Sequence, residues 1–135
     1  MLPSAHPLAR HHELTLTDVA GVPWVTAETS IDGCRPTSWR DAWLFNPRPG
    51  GDQPIIAATA SNIDEWREHV VAGKGISVCP ASAETHYARP GLAFVPCARI
   101  PPVSTALAWR ADDSRPLVQC FVNAVTRAAR SFARS

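Results

Sequence analysis

Glycines flanking a lysine can cradle phosphate, so the run Gly73-Lys74-Gly75 is the first place to look for chemistry. A phosphate loop follows a strand and opens a helix. Here the glycines follow a helical pattern and open an extended one, which is the order of a helix C-cap. Glu65 and His69 stand four apart without an H-E-x-x-H motif and predict an exposed side-chain pair on a helix face. His6, His11 and His12 lack a spaced partner set, so no metal centre is expected. There is no G-x-S-x-G elbow, and Ser77 and Cys79 fall in a predicted strand, where the sheet orients side chains without a strained turn. Cys34, Cys79, Cys97 and Cys120 include no C-x-x-C pair and read as buried small hydrophobes. These patterns predict no catalytic residue, no metal and no cofactor.

Two other stretches carry polar groups where a ligand could use them. Thr26 to Thr29 follow a predicted strand, and Ala60 to Asn62 lead from a strand into a capped helix. Hydroxyls and free backbone N–H groups at such strand ends suit a carboxylate or another small anion. The same residues can also serve only to cap and turn the chain.

The elements that position these stretches follow from hydrophobic periodicity. Leu14 to Ala20 predicts a short helical turn ended by Gly21, and Val22 to Thr26 a strand. Residues 27–36 form a polar loop. Thr37 or Ser38 caps a helix to about Phe45, and Asn46 to Gly51 (N-P-R-P-G-G) predicts a turn or surface loop. Ile55 to Ala60 reads as a buried strand. Ser61 with Asp64, or Asn62 with Glu65, opens the next helix. Ile63, Trp66 and Val70 share its inner face, while Glu65, Arg67 and Glu68 face water and Gly73 stops it. Trp24 and Trp66 are read as core. Gly75 to Cys79 predicts a strand, Ala81 to Tyr87 two helical turns, and Leu92 to Val95 a strand. Ser104 to Arg110 is an extended segment before a last helix striped with Leu117, Phe121, Val125, Ala128 and Phe132. Strands alternating with helices predict an α/β sandwich with a largely parallel sheet and ligand chemistry at the carboxyl ends of its strands.

Composition narrows the function classes. The chain has 135 residues, 45% apolar and 19% charged, enough to fill a core. A net charge of +1 lacks the basic excess of a protein that lives on phosphate contacts, so no direct nucleic-acid contact is expected. No apolar run approaches the ~18 residues of a membrane span, and Met1 to His12 holds no hydrophobic segment of a secretory signal. No membrane partner is expected, and the predicted compartment is the cytoplasm. Lys74 is the one lysine among 13 basic residues, in keeping with a GC-rich bacterial genome.

The order of segments is itself a signature. His6-Pro7-Leu8-Ala9, then Leu16 to Val25, then Val71 to Pro80 (V-A-G-K-G-I-S-V-C-P), resembles the effector-binding domain of LysR-type transcriptional regulators. Arg89-Pro90-Gly91-Leu92, Ala108-Trp109-Arg110 and the terminal helix continue the match in the family's order. The resemblance implies an α/β fold like the type 2 periplasmic binding proteins: one Rossmann-like three-layer lobe, about 13–103, plus a return strand and helix, 104–135, from the other lobe. It implies effector contacts in the loop after the first strand, at Thr26, Ala27, Glu28 and Thr29, and at the following helix start, at Ser61 and Asn62.

On this reading the whole chain, 1–135, is a partial effector-binding domain without the winged helix-turn-helix that binds DNA. Its function is small-molecule sensing in transcription regulation, without catalysis. The effector would be a small organic anion. A stand-alone binding or interaction module of the same fold is the alternative. The terminal apolar stripe then needs a partner: the second lobe, a second copy in a homodimer, or none, which would leave the helix mobile.

Overall fold

The structure is a computed structural model that describes residues 1–28, 37–48, 50–102 and 106–132, with side chains described except at 37–39 and 131–132. The chain divides into two compact units, Met1–Pro101 and Pro102–Ser135.

The first unit is organised by two short ladders. Strand β1 (Leu2–Pro3) pairs antiparallel with β4 (Leu92–Ala93), and β2 (Trp24–Ala27) pairs parallel with β3 (Ile56–Ala60). The register shifts between Trp24↔Ile56 and Val25↔Ala58, so Ala57 is an extra residue in β3. The predicted strand at Gly75–Cys79 is reduced to a single bridge, Ile76 against Trp24, yet its backbone joins the two ladders. On one side Val25 N–H donates to Ile76 O and Ile76 N–H to Pro23 O, both at 2.8 Å. On the other, Ser77 N–H donates to Met1 O at 2.8 Å, and the Met1 amino group returns a bond to Ser77 O at 2.9 Å.

Gly75 makes this junction sterically feasible. A Cβ there would stand 2.6 Å from Pro23 O and 2.8 Å from Pro23 C, inside any tolerable contact. Side chains alternate between the sheet's two faces. Leu2, Trp24 and Ile76 pack on one face with Leu14, Val19 and Leu44. Met1 and Val25 pack on the other with Val70, bordered by Trp66, Cys79 and Phe94.

Helix α1 (Thr37–Trp43) follows β2, and α2 (Ile63–Val71) follows β3. The predicted face of α2 is present in part: Val70 is fully buried and the Trp66 indole donates to Ser77 Oγ at 2.7 Å, but Ile63 is 38% exposed. Gly73, at φ 74°, turns the chain out of α2 as predicted. Arg67 departs from its predicted place in water. Its side chain is mostly covered, pairs with Asp64 and lies 5.7 Å from the Tyr87 ring centroid. The predicted helical turn at Leu14–Ala20 is a run of turns in which Thr15 donates backbone and hydroxyl hydrogens to Asp18 at 2.7 Å.

β3 is also corrected. It is read as buried from its apolar run, but only Ala60 is buried and Ile56 is 38% exposed. Among the described residues it pairs with β2 alone, so half of its surroundings are open. Helix α3 (Ala83–Tyr87) lies within the predicted span.

In the second unit, residues 106–110 carry no strand. Helix α4 (Pro116–Phe132) starts with proline in its first turn, where a missing N–H costs nothing. Asp113 pairs with Arg115 at 2.6 Å beside that end. Leu117 and Phe121 of the stripe are 82% and 59% exposed.

The cysteines do not all follow their predicted burial. Cys120 is exposed, Cys79 and Cys97 are half-buried, and Cys34 lies outside the described residues. Burial pushes the Cys79 and Cys97 thiols up from their ordinary range, which keeps them protonated and poor nucleophiles.

Gly75→Ala should test the junction. The clash with Pro23 backbone cannot be relieved by a rotamer change, so stability in urea should fall by about 3 kcal/mol, with amide protection at Val25 and Ile76 lost together.

Candidate functional site

The parallel register brings the two predicted stretches side by side. Ala27 faces Ala60, and Glu28 N–H donates to Ala60 O at 2.9 Å, so Thr26 to Glu28 and Ser61 to Asn62 leave the same end of the β2–β3 ladder. Thr26 and Ala27 are buried, whereas Glu28, Ser61 and Asn62 are exposed. Thr29 lies outside the described residues.

Of the two ways to open α2, the Asn62–Glu65 pair supplies the N-cap. Asn62 Oδ1 accepts from Glu65 N–H at 2.9 Å. Glu65 answers one residue further back: its Oε2 accepts from Ser61 N–H and from Ser61 Oγ, both at 2.8 Å. The Ser61 and Asn62 side chains are therefore already engaged in holding the helix start. The Ser61 backbone hydrogen bond first, then that of its hydroxyl, holds the Glu65 carboxyl below its ordinary range. His69 Nε2 stands 3.7 Å from Glu65 Oε1, the pair expected from the i, i+4 spacing, but the His69 side chain is mostly covered where the spacing predicts exposure. With Asp64 and Glu65 in the first turn and Glu28 beside it, this end of the ladder is acidic.

Thr26 is different. It is fully buried, and its hydroxyl has no hydrogen-bond partner. Buried polar atoms without a partner also occur at Trp24, Asn46 and Arg48. The Trp24 indole N–H, two residues earlier on the same face of β2, is buried without an acceptor. Asn46 keeps Oδ1 unpaired while its Nδ2 donates to Asp41 Oδ1 at 3.2 Å. Arg48 is 6% exposed, and its Cζ lies 4.8 Å from the Trp24 ring centroid with Nε and Nη2 unpaired. The N-P-R-P-G-G run predicts a turn or surface loop; a turn is present, with Gly51 N–H donating to Arg48 O at 2.9 Å, but Arg48 itself is buried. Periodicity carries no signal that a guanidinium from a proline-rich turn will lie on a core indole.

A cavity of about 270 Å³ opens elsewhere in the first unit, against Trp24, Phe45, Ile76, Val78, Phe94 and Val95. None of the predicted contact residues lines it. No set of three or more His, Cys, Asp or Glu residues that could hold a metal occurs among the described residues, and none of their helices is long and apolar enough to cross a membrane.

The α/β arrangement of the first unit can be set beside known proteins. Residues 1–130 match the family model described as the LysR substrate binding domain. The chain belongs to the LysR substrate-binding domain family. It is 26% identical over 123 residues to the Hca operon transcriptional activator HcaR of Escherichia coli (strain K12), covering 90% of this chain and 40% of that protein. The crystal structure of HinK, a LysR family transcriptional regulator from Pseudomonas aeruginosa, matches with a TM-score of 0.59 at 24% identity, covering 90% of this chain and 41% of that one. The second likeness speaks for the fold, which is α/β and like that of periplasmic binding proteins. This LysR-family chain thus spans about 40% of the length of HcaR.

Titration should expose the Ser61–Glu65 contact. Because the folded pKa lies below the unfolded one, the contact contributes stability above the ordinary carboxylate range and loses it as pH falls through the folded value. In acid titrations followed by NMR, the Ser61 amide should report a midpoint below that of an ordinary glutamate. Glu65→Gln should abolish that titration; a midpoint at the ordinary value would remove the contact.

Proposed function

We propose that this chain is the effector-binding part of a transcription regulator and that a small organic effector sits at the carboxyl ends of β2 and β3. The observation that carries this reading is the Ala27↔Ala60 register, which sets Thr26, Ala27 and Glu28 beside Ser61 and Asn62. Thr29, next in sequence, completes the set of proposed contacts. Thr26 offers a buried hydroxyl with an unused hydrogen bond, and Asn62 still has amide hydrogens to offer, one making only a 3.5 Å contact with Ser61 Oγ.

On this proposal the chain recognises and does not catalyse, a reading supported by the raised pKa of the Cys79 and Cys97 thiols, which makes them poor nucleophiles. Residues of about 13–103 form the second lobe of a two-lobed sensor, and 104–135 supply a strand and helix of the other. The regulator works in the cytoplasm, pairs with a second copy, and leaves DNA contact to residues outside this chain. The net charge of +1 supports that division of labour.

A panel of small organic acids titrated into the isotope-labelled chain tests the site. The expected result is saturable NMR shifts at the Glu28, Ser61 and Asn62 amides. A compound that saturates the protein while leaving all three unmoved would overturn the proposed location.

A further inference from the structure

Helix α4 carries a seam of exposed apolar residues. Leu117, Phe121, Ala124 and Ala128 are all exposed, the first two at 82% and 59%. Their spacing of four, three and four residues sets them in one line along a single face. That repeat lets two helices wind together, each apolar side chain entering a hollow on its partner. Val118 and Val125 flank the line on one side and are half-buried. From Pro116 to Thr126 the helix holds no charged residue, although a surface helix ordinarily turns charge toward water.

The sizes along the seam say what fits it. The bulky pair, Leu117 and Phe121, lies toward the amino end, and the small pair, Ala124 and Ala128, toward the carboxyl end. An antiparallel second copy lays Leu117 over Ala128 of that copy and Phe121 over its Ala124. Two-fold symmetry repeats the same match with the copies exchanged. A parallel pair would stack Phe121 on its own counterpart and leave the alanines facing across a gap.

Charge selects the same arrangement. Arg127 and Arg130 lie toward the carboxyl end and make no ion pair among the described residues. At the other end Asp112 and Asp113 stand with Arg115 in the segment 112–115, which keeps a net negative charge although Arg110 also bonds Asp112. The antiparallel register brings Arg130 level with that segment of the other copy. It also sets unlike poles of the two helix dipoles together. A parallel pair masses Arg127 and Arg130 beside their own copies instead.

We infer that α4 is a self-association surface, pairing antiparallel with α4 of a second copy of this chain through Leu117, Phe121, Ala124 and Ala128. This rests on the proposal that the chain pairs with a second copy, and it names the surface, the orientation and the register. One helix seam is small against the roughly 1,200 Å² at which stable interfaces begin, so the pair dissociates on dilution.

Sedimentation of the whole chain from about 1 μM to about 1 mM reads the pairing. The mass should pass from monomer to dimer across that range. Phe121→Glu, at an exposed position that a helix tolerates, should weaken the dimer at least about tenfold by placing a charge in the seam. Asn123→Glu, away from the seam, should leave it unchanged. A nitroxide on the exposed Cys120, in a Cys34→Ser chain, reads the orientation, because Cys79 and Cys97 are half-buried, poor nucleophiles. Mixed with isotope-labelled chain that carries no nitroxide, it should broaden the amides around Val125 most.

Broadening centred on Cys120 itself means a parallel pair and overturns the register. A dimer that Phe121→Glu leaves intact, or broadening confined to residues outside α4, overturns this surface while the second-copy reading stands. A monomer at every concentration overturns both.

Discussion

The first unit depends on how closely Gly75 approaches the backbone of Pro23. The two ladders are short: β1 and β4 have two residues each, and β2 has four. Isolated ladders of that length are marginal in water. What joins them is the backbone of Ile76 and Ser77, bonded to Pro23 and Val25 on one side and to Met1 on the other. That backbone reaches Pro23 only because residue 75 has no Cβ. With the junction made, the sheet has two continuous faces, and Trp24 and Val25 can anchor a cluster on each. The strand ends where polar residues gather are held in place from the opposite end of the same strand.

The period of the sequence made most of this legible. The apolar stretch Val22–Thr26 located β2, which runs instead from Trp24 to Ala27, and the i, i+3, i+7 spacing located α2 with Val70 inward. Asn62 and Glu65 stood three apart at its start, and the cap uses that pair. The reading failed where the environment of a segment, not its pattern, decides the outcome. The apolar run at Ile55–Ala60 looks the same in a central strand and at an edge, so its exposure could not be read from it. At Gly75–Cys79 the extended backbone was legible, but regular pairing was not, because the partners are Pro23 and Val25 on one side and Met1 on the other, all far away in sequence. Leu2–Pro3 is too short to show any period. Thr26, Ser61 and Asn62 come to one end of the ladder because β2 and β3 pair in parallel, a neighbourhood that spacing along the sequence does not itself state. That two of them would be spent on the helix cap depended on where the Glu65 carboxylate turned back.

The electrostatics of the strand end separate two kinds of recognition. Asp64 and Glu65 at the start of α2 oppose the positive end of its dipole, as is usual in a stable helix. Their charge makes the same end a poor receptor for an anion. A ligand drawn to the spare Asn62 amide hydrogens would therefore be favoured there as a neutral acceptor.

Trp24 joins the core to the Asn46–Gly51 turn. Its ring is a wall of the apolar cavity and a member of the core on its face of the sheet, yet it also carries the Arg48 guanidinium. The sequence reading of Trp24 as core is therefore right about its burial and incomplete about its role. A core indole is held rigid by its neighbours, and a rigid platform fixes a flexible arginine at little further entropic cost. The same packing that keeps Trp24 in place also shields the guanidinium from water, which raises the cost of its unpaired donors. In the first unit the packing of one face of the sheet and the seating of the Arg48 guanidinium both rest on Trp24, so a change there alters both.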